Sequence, residues 1–451
     1  MQSQSRHECA SSIPQQPSKE GRPSCFKDWI NQDVSRVHEQ FLRDVNINLY
    51  YSKESGYRNL VQALILRENI VVKWWPNIAH VAEKLFLFYS TLIWQDSIAS
   101  TMIGSLSSSP WFVSLAMSDE CIERLYSTPN NETAYNLGLI AAIEKHTGTT
   151  LIEPITCLNA TAIGNEYPLT DSGDFDSNIQ WPLTRGWPPT YWFLHPSDAL
   201  QLGSTILNTD PCFWYNQSYT LKNQAVTVLL LDRKHSRIIN NTQTVVEDLV
   251  QSFKETSSYS SSSGSDSSAS SDGSDGSNTF MYHTISMVSV ESFENKSFYE
   301  QVQAARNADV LIAIHGAGLI NMAFMRPCSI VLEIFHWGYN EVDYFKGLAH
   351  SAGLIREHWV EGYNNVEYLF DDAFSSATCR DIINGLHRDG NSHDSSWVRQ
   401  RCMDLEGPCR RCIRDVSKVT ISLEPLRRAM DYAMKRRRVC MEKSMYYSPS
   451  S

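Results

Sequence analysis

The chain has 451 residues, of which 42% are hydrophobic and 20% charged, and a formal net charge of −11 at neutral pH. This is a globular composition with room for two or three cores. The negative balance excludes the broad positive field that nonspecific nucleic-acid or anionic-membrane binding needs, so no nucleic-acid partner is expected.

Residues 1–24 are polar and predict a disordered segment with no apolar core for a signal peptide. The longest apolar run, Leu85 to Trp94, is too short to span a bilayer. Two alternatives stay open: a cytosolic protein, or a chain whose true amino terminus, with a leader or membrane anchor, lies upstream. Two apolar runs between Leu60 and Trp75 predict strands, and Pro76 and Asn77 then open a helix with Asn77 as N-cap. Ile78, Val81, Ala82, Leu85, Phe88, Leu92 and Ile93 fall on one apolar stripe of that helix, while His80, Glu83 and Lys84 share another face. The region from Ser97 to Tyr219, rich in Pro, Trp and Ser, holds strands and loops with no readable order.

Val226 to Leu231 predicts a buried strand that ends in a basic loop carrying Arg233, Lys234, His235 and Arg237, followed by a helix from Thr244 to Phe253. A serine-rich insertion over 254–279 is low in complexity and reads as disordered. Strand and helix patterns resume at Met281. They lead into the stretch ADVLIAIHGAGLINMAFMRPCSIVLEIF, in which Val310 to Ile314 is an apolar strand, His315 to Gly318 a glycine turn, Leu319 to Met325 a helix and Ile330 to Phe335 a second strand. This is a compact βαβ unit. Its glycines are expected to permit positive φ, and its backbone N–H groups, at the start of a helix, suit an anion such as phosphate. A turn of this type also builds oxyanion holes in hydrolases, but the Gly-x-Ser-x-Gly elbow that chemistry needs is absent from the sequence. The alternation from Val226 to Phe335 predicts a doubly wound parallel sheet, with the basic loop and the glycine turn on one rim.

The 11 Cys are dispersed, with one cluster at Cys402, Cys409 and Cys412. Zinc with His387 or His393 and disulfides are both open, the latter favoured if the chain is lumenal. Sequons at Asn131, Asn159, Asn216, Asn240 and Asn295 point toward the lumen. A last amphipathic helix between Ile421 and Arg438 ends in KRRR, read as a solvated helix terminus.

The stretch ARNADVLIAIHGAGLINMAFMRPCSIVLEIF resembles the signature of glycosyltransferase family 61, whose members include plant core β-1,2-xylosyltransferases and N-acetylglucosaminyltransferases of the endoplasmic reticulum. RKHSRIINN resembles the family's basic loop, and WPNIAHVAEKLF its amino-terminal Asn-x-x-His helix. The resemblance implies a GT-B architecture, two Rossmann-like domains facing across a cleft. An acceptor domain would span 25–220, a nucleotide-sugar domain 221–365, and a Cys-containing segment with a closing helix 366–451. It further implies an inverting transfer of xylose or N-acetylglucosamine from a UDP-sugar to a glycoprotein or glycan hydroxyl, in the Golgi or endoplasmic reticulum lumen, with no metal or other cofactor.

On that basis Gly316, Ala317 and Gly318 would offer amides to the diphosphate, and Arg237 with Arg233 would neutralise it. Asn321 of the N-x-x-F helix would belong to the same nucleotide-sugar site, Glu333 would accept the ribose hydroxyls, and His315 would hold the turn. His80 and Glu83 are the candidates for the base that deprotonates the acceptor, His80 having a capped structural role as its alternative. In the family's animal members the helix acid stands four residues after the His, where this chain has Lys84. A catalytically inactive member that binds glycans or proteins is the competing reading.

Overall fold

The structure, a computed structural model, describes residues 63–67, 78–93, 112–117, 131–148, 152–154, 192–213, 226–258, 285–337, 339, 341–368 and 417–445. Asn77, the 259–284 stretch and the Cys402, Cys409 and Cys412 cluster lie outside these residues. The fold is α/β.

A five-stranded parallel sheet forms its centre. Five strands build it: β4 (Val226–Leu231), β6 (Ile285–Glu291), β7 (Val310–Ile314), β8 (Ile330–Phe335) and β9 (Ile355–Val360). Their spatial order is β6-β4-β7-β8-β9. The chain therefore runs outward from β4 to β6, returns past it to β7 and continues to the far edge, so the winding reverses between β4 and β7. Every residue of β7 and β8 is buried, as unbroken apolar runs require when helices cover both faces. A second parallel sheet, β1 (Ala63–Arg67), β2 (Phe112–Met117) and β3 (Ile152–Pro154), comes from the amino-terminal part.

Alternation along the strands divides the core in two. Val228, Leu230, Ile312, Ile314, Leu332 and Ile334 face one way, against α4 (Thr242–Ser258) and α7 (Leu423–Met445). Leu229, Leu231, Leu311, Ala313 and Val331 face the other. That second face is covered by α1 (Ile78–Ile93), α2 (Asn131–Thr147), α3 (Pro196–Leu207), α5 (Phe298–Asn307) and α6 (Tyr344–Ser351). Helix starts follow local chemistry. His195 accepts from the Ser197 N–H with Pro196 in the first turn of α3, and Ser297 and Glu300 form a capping box on α5.

Several expectations change. The helix after the glycine turn is a 3₁₀ helix, Ala317–Phe324, buried from Leu319 onward because it crosses between two adjacent strands under α1, α3, α5 and α6. α4 continues to Ser258, into the start of the serine-rich stretch, since Lys254 and Glu255 favour the helix they extend. α1 is buried well beyond one stripe, with Phe86, Tyr89 and Glu83 all enclosed. The KRRR run lies inside α7, not at its end, and Arg437 is buried.

One disulfide, Cys328–Cys440, joins the loop before β8 to α7 across 112 residues. Cys212 is also disulfide-bonded. Among the described residues no helix is long and apolar enough to cross a membrane.

Candidate nucleotide-binding rim

In a doubly wound sheet the strand order opens a crevice where the winding reverses, beyond the carboxyl ends of the strands. Here that place lies between β4 and β7. The loop after β4 carries Arg233 and Arg237, and the turn after β7 is His315-Gly316-Ala317-Gly318.

The basic loop is held on several sides. The Asp232 carboxylate accepts from the Arg233 N–H at 2.7 Å, the Ile239 N–H at 3.1 Å and the Thr242 hydroxyl at 3.2 Å. The Glu294 carboxylate accepts from the Lys234 N–H at 3.1 Å. Immediately beyond Arg237 the chain forms β5 (Ile238–Ile239), which pairs in parallel with β11 (Ser417–Val419), itself antiparallel to β10 (Val366–Tyr368). The segment that follows the main sheet thus clamps the loop. Arg237 adopts positive φ (56°), which turns the chain into β5 and aims the side chain back at the sheet. Its Nη1 donates to the His315 carbonyl at 2.5 Å.

Both arginines reach the glycine turn. A Cβ on Gly316 would sit inside the van der Waals shell of Arg233 Nη1 and 2.8 Å from Arg237 Nη1. Gly316 is extended (φ 167°), a conformation open to any residue, so the expected positive φ is corrected: the glycine leaves room for guanidinia. Gly318 works similarly, its missing Cβ lying 3.0 Å from the Leu231 Cδ2 at the end of β4. Ala317 packs partly into the core between them.

Two of the residues expected at the nucleotide point inward. Asn321 is fully buried; its amide donates to the Gln301 side chain and the Gly318 carbonyl, each at 3.1 Å, and it accepts from the Tyr135 hydroxyl at 3.3 Å. It braces the turn from beneath. Glu333 is likewise fully buried, with both carboxylate oxygens occupied, one by His315 Nδ1 at 2.5 Å and the other by Arg356. Its oxygens face protein partners where ribose hydroxyls were expected. The His315 ring stacks on Phe335 with centroids 4.9 Å apart.

The two catalytic candidates lie on α1. His80 is in its first turn, its side chain outside the described residues. Glu83 is 4% exposed, not on a solvated face, and accepts from the Tyr344 hydroxyl at 3.3 Å. Burial first, then the neighbouring Glu83 carboxylate, pushes the Tyr344 pKa far up, so its hydroxyl keeps the proton it donates.

Sequence reasoning missed Arg356, Asp232, Glu294 and the β5–β11 clamp. Arg356 was visible only as one of three consecutive polar residues in the half-polar strand LIREHWV, which names no partner for it. The clamp left no signal, because two- and three-residue strands carry no period. Among the described residues no cluster of three or more His, Cys, Asp or Glu could hold a metal ion.

Fold and rim together define an α/β protein in which two arginines and a glycine turn meet at the switch point of a parallel sheet. Residues 215–332, which contain both loops, match the family model Glycosyltransferase 61. It is 34% identical over 83 residues to the Protein O-linked-mannose beta-1,4-N-acetylglucosaminyltransferase 2 of Xenopus tropicalis, a match covering 17% of this chain and 14% of that protein. It is 30% identical over 70 residues to the EGF domain-specific O-linked N-acetylglucosamine transferase of Drosophila melanogaster, covering 16% of this chain and 13% of that one. The matches therefore span about one seventh of these curated relatives.

Proposed function

We propose that the chain is an inverting glycosyltransferase that moves xylose or N-acetylglucosamine from a UDP-sugar to a hydroxyl of a glycoprotein or glycan. The observation that carries this reading is the convergence of Arg233 and Arg237 on Gly316 at the switch point. Two guanidinia beside the turn's amides suit a diphosphate, and neutralising it makes UDP a better leaving group. Leaving-group charge is thereby assigned to arginines and backbone rather than to a metal. The two separate parallel sheets support a GT-B arrangement in which α1, α2 and α3 of the amino-terminal part pack on the central sheet. His80, in the first turn of α1, is the proposed base, while Glu83 holds α1 to α6 through Tyr344. The disulfide-bonded Cys328, Cys440 and Cys212 support an oxidising compartment, the lumen of the endoplasmic reticulum or Golgi.

The test is UDP release from a panel of UDP-sugars by the purified chain. Turnover is expected with at least one sugar, and Arg237→Ala is expected to lose roughly 100-fold, the order lost when a charge-stabilising donor is removed. UDP binding without turnover on any sugar would move the assignment to a glycan- or protein-binding member. No UDP binding at all would end both.

A further inference from the structure

We infer that Arg356, at the edge of the sheet, is a positioning residue for the diphosphate rim, acting through Glu333 and His315; the inference rests on the reading of that rim proposed above. Glu333 is the one charged residue in a strand otherwise apolar and wholly buried. A carboxylate there is costly unless paired, and well-packed apolar residues would usually serve stability as well or better. Its retention is accounted for by what its two oxygens hold.

One oxygen receives Arg356 Nε at 2.6 Å and Nη2 at 2.5 Å. Arg356 is fixed in turn, its Nη2 donating to the Val342 carbonyl at 2.8 Å in the approach to α6. Register places Arg356 opposite Val331, so it lies on the same face of the sheet as Glu333 and reaches it from the neighbouring strand. The other oxygen receives His315 Nδ1 at 2.5 Å, which makes Nδ1 the protonated nitrogen. Bonded at Nδ1 and stacked on Phe335, the His315 ring is fixed against rotation. The same residue's carbonyl accepts Arg237 Nη1 at 2.5 Å and so fixes the peptide plane that carries the Gly316 amide.

A continuous chain of charge-assisted contacts thus runs from β9 through β8 and β7 to the basic loop. Arg356 touches no part of the rim itself. Loosening it would free Glu333, then the His315 ring, and then the plane against which Arg237 is set.

The experiment compares wild type with Glu333→Gln, Arg356→Lys and the charge-free pair Arg356→Met with Glu333→Gln, the last included because a lone buried charge can prevent folding. UDP affinity is read by calorimetry, donor and acceptor KM by steady-state kinetics, and the His315 ring by ¹⁵N spectra of histidine-labelled protein. In wild type the Nδ1 proton is expected to be present and to shift when UDP saturates the protein. Glu333→Gln and the double variant should weaken UDP roughly 10- to 100-fold, the range seen when the partner orienting a ligand-binding histidine at a metal site is removed. Donor KM should rise with acceptor KM unchanged, and Arg356→Lys should recover part of the loss. Wild-type UDP affinity in a folded Glu333→Gln or double variant would overturn the inference and leave the rim standing. So would an Nδ1 signal indifferent to UDP, a measurement that needs no variant. Failure of wild type itself to bind UDP would overturn the rim and this inference with it.

Discussion

Gly316 separates room from flexibility at the scale of one residue. Its backbone is extended, so alanine fits the conformation, yet a methyl group would occupy the space of two guanidinium nitrogens. The methyl would meet only the far ends of two long side chains, half-buried Arg233 and buried Arg237, which can shift, so Gly316→Ala is expected to fold with a melting temperature within a few degrees of wild type and to bind UDP about tenfold more weakly, since each displaced charge-assisted contact weighs heavily. Gly318→Ala is the contrast. Its methyl would press on Leu231 in the core, costing about 1 kcal/mol of stability with less effect on affinity. Thermal scanning with calorimetry separates the pair, and equal UDP affinity in wild type and Gly316→Ala would end the argument. The sequence HGAG was legible as a place where other atoms come close to the backbone. Which atoms required that approach was not, because Arg237 and His315 are 78 residues apart.

At the scale of elements, α7 is fastened to the sheet at the edge opposite the rim. Asp309, just before β7, accepts from Arg326 at 2.7 Å, from Arg437 of α7 at 2.5 Å, and from the Thr227 N–H and hydroxyl, each at 3.0 Å. Burial alone would raise the Asp309 pKa, but the two guanidinia and the Thr227 bonds outweigh it and the net shift is downward. A lowered folded pKa means that the group's stability is fully present above its unfolded value of about 3.9 and is lost as pH falls through the folded value. Urea midpoints are therefore expected to drop below about pH 4 in wild type. Asp309→Asn should cost about 3–5 kcal/mol at neutral pH, because two buried arginines lose their counter-charge, and should flatten that acid limb. An unchanged limb in the variant would remove Asp309 as its cause. The KRRR run read as a solvated terminus because charge in sequence says nothing of a buried partner 128 residues away. The buried strands of the central sheet were legible for the opposite reason, since an apolar run bounded by turns states its own environment.

For the whole molecule, the family match and the folding unit have different limits. The match begins at residue 215. The core does not: Phe86 of α1 meets Phe324 edge-on with centroids 5.8 Å apart, Tyr135 of α2 meets Phe298 at 4.6 Å, and Trp192 meets Tyr344 at 5.7 Å. Polar contacts follow the same route, Tyr135 to Asn321 and Tyr344 to Glu83, the latter across 261 residues. Such contacts have no period, which is why the order of the chain between Ser97 and Tyr219 could not be read. Their loss has a definite consequence. A fragment starting at residue 215 would expose Leu319, Met322, Phe324 and Phe345, all buried in the full chain, and apolar patches of that kind drive association. The fragment is expected to elute as aggregate, bind a hydrophobic dye strongly and melt without a cooperative transition, whereas the full chain should melt cooperatively. Size-exclusion chromatography with thermal scanning decides it. A monodisperse, cooperatively melting fragment would mean that α1, α2 and α3 only dock on a sheet that is stable without them, and the rim would then be an autonomous domain.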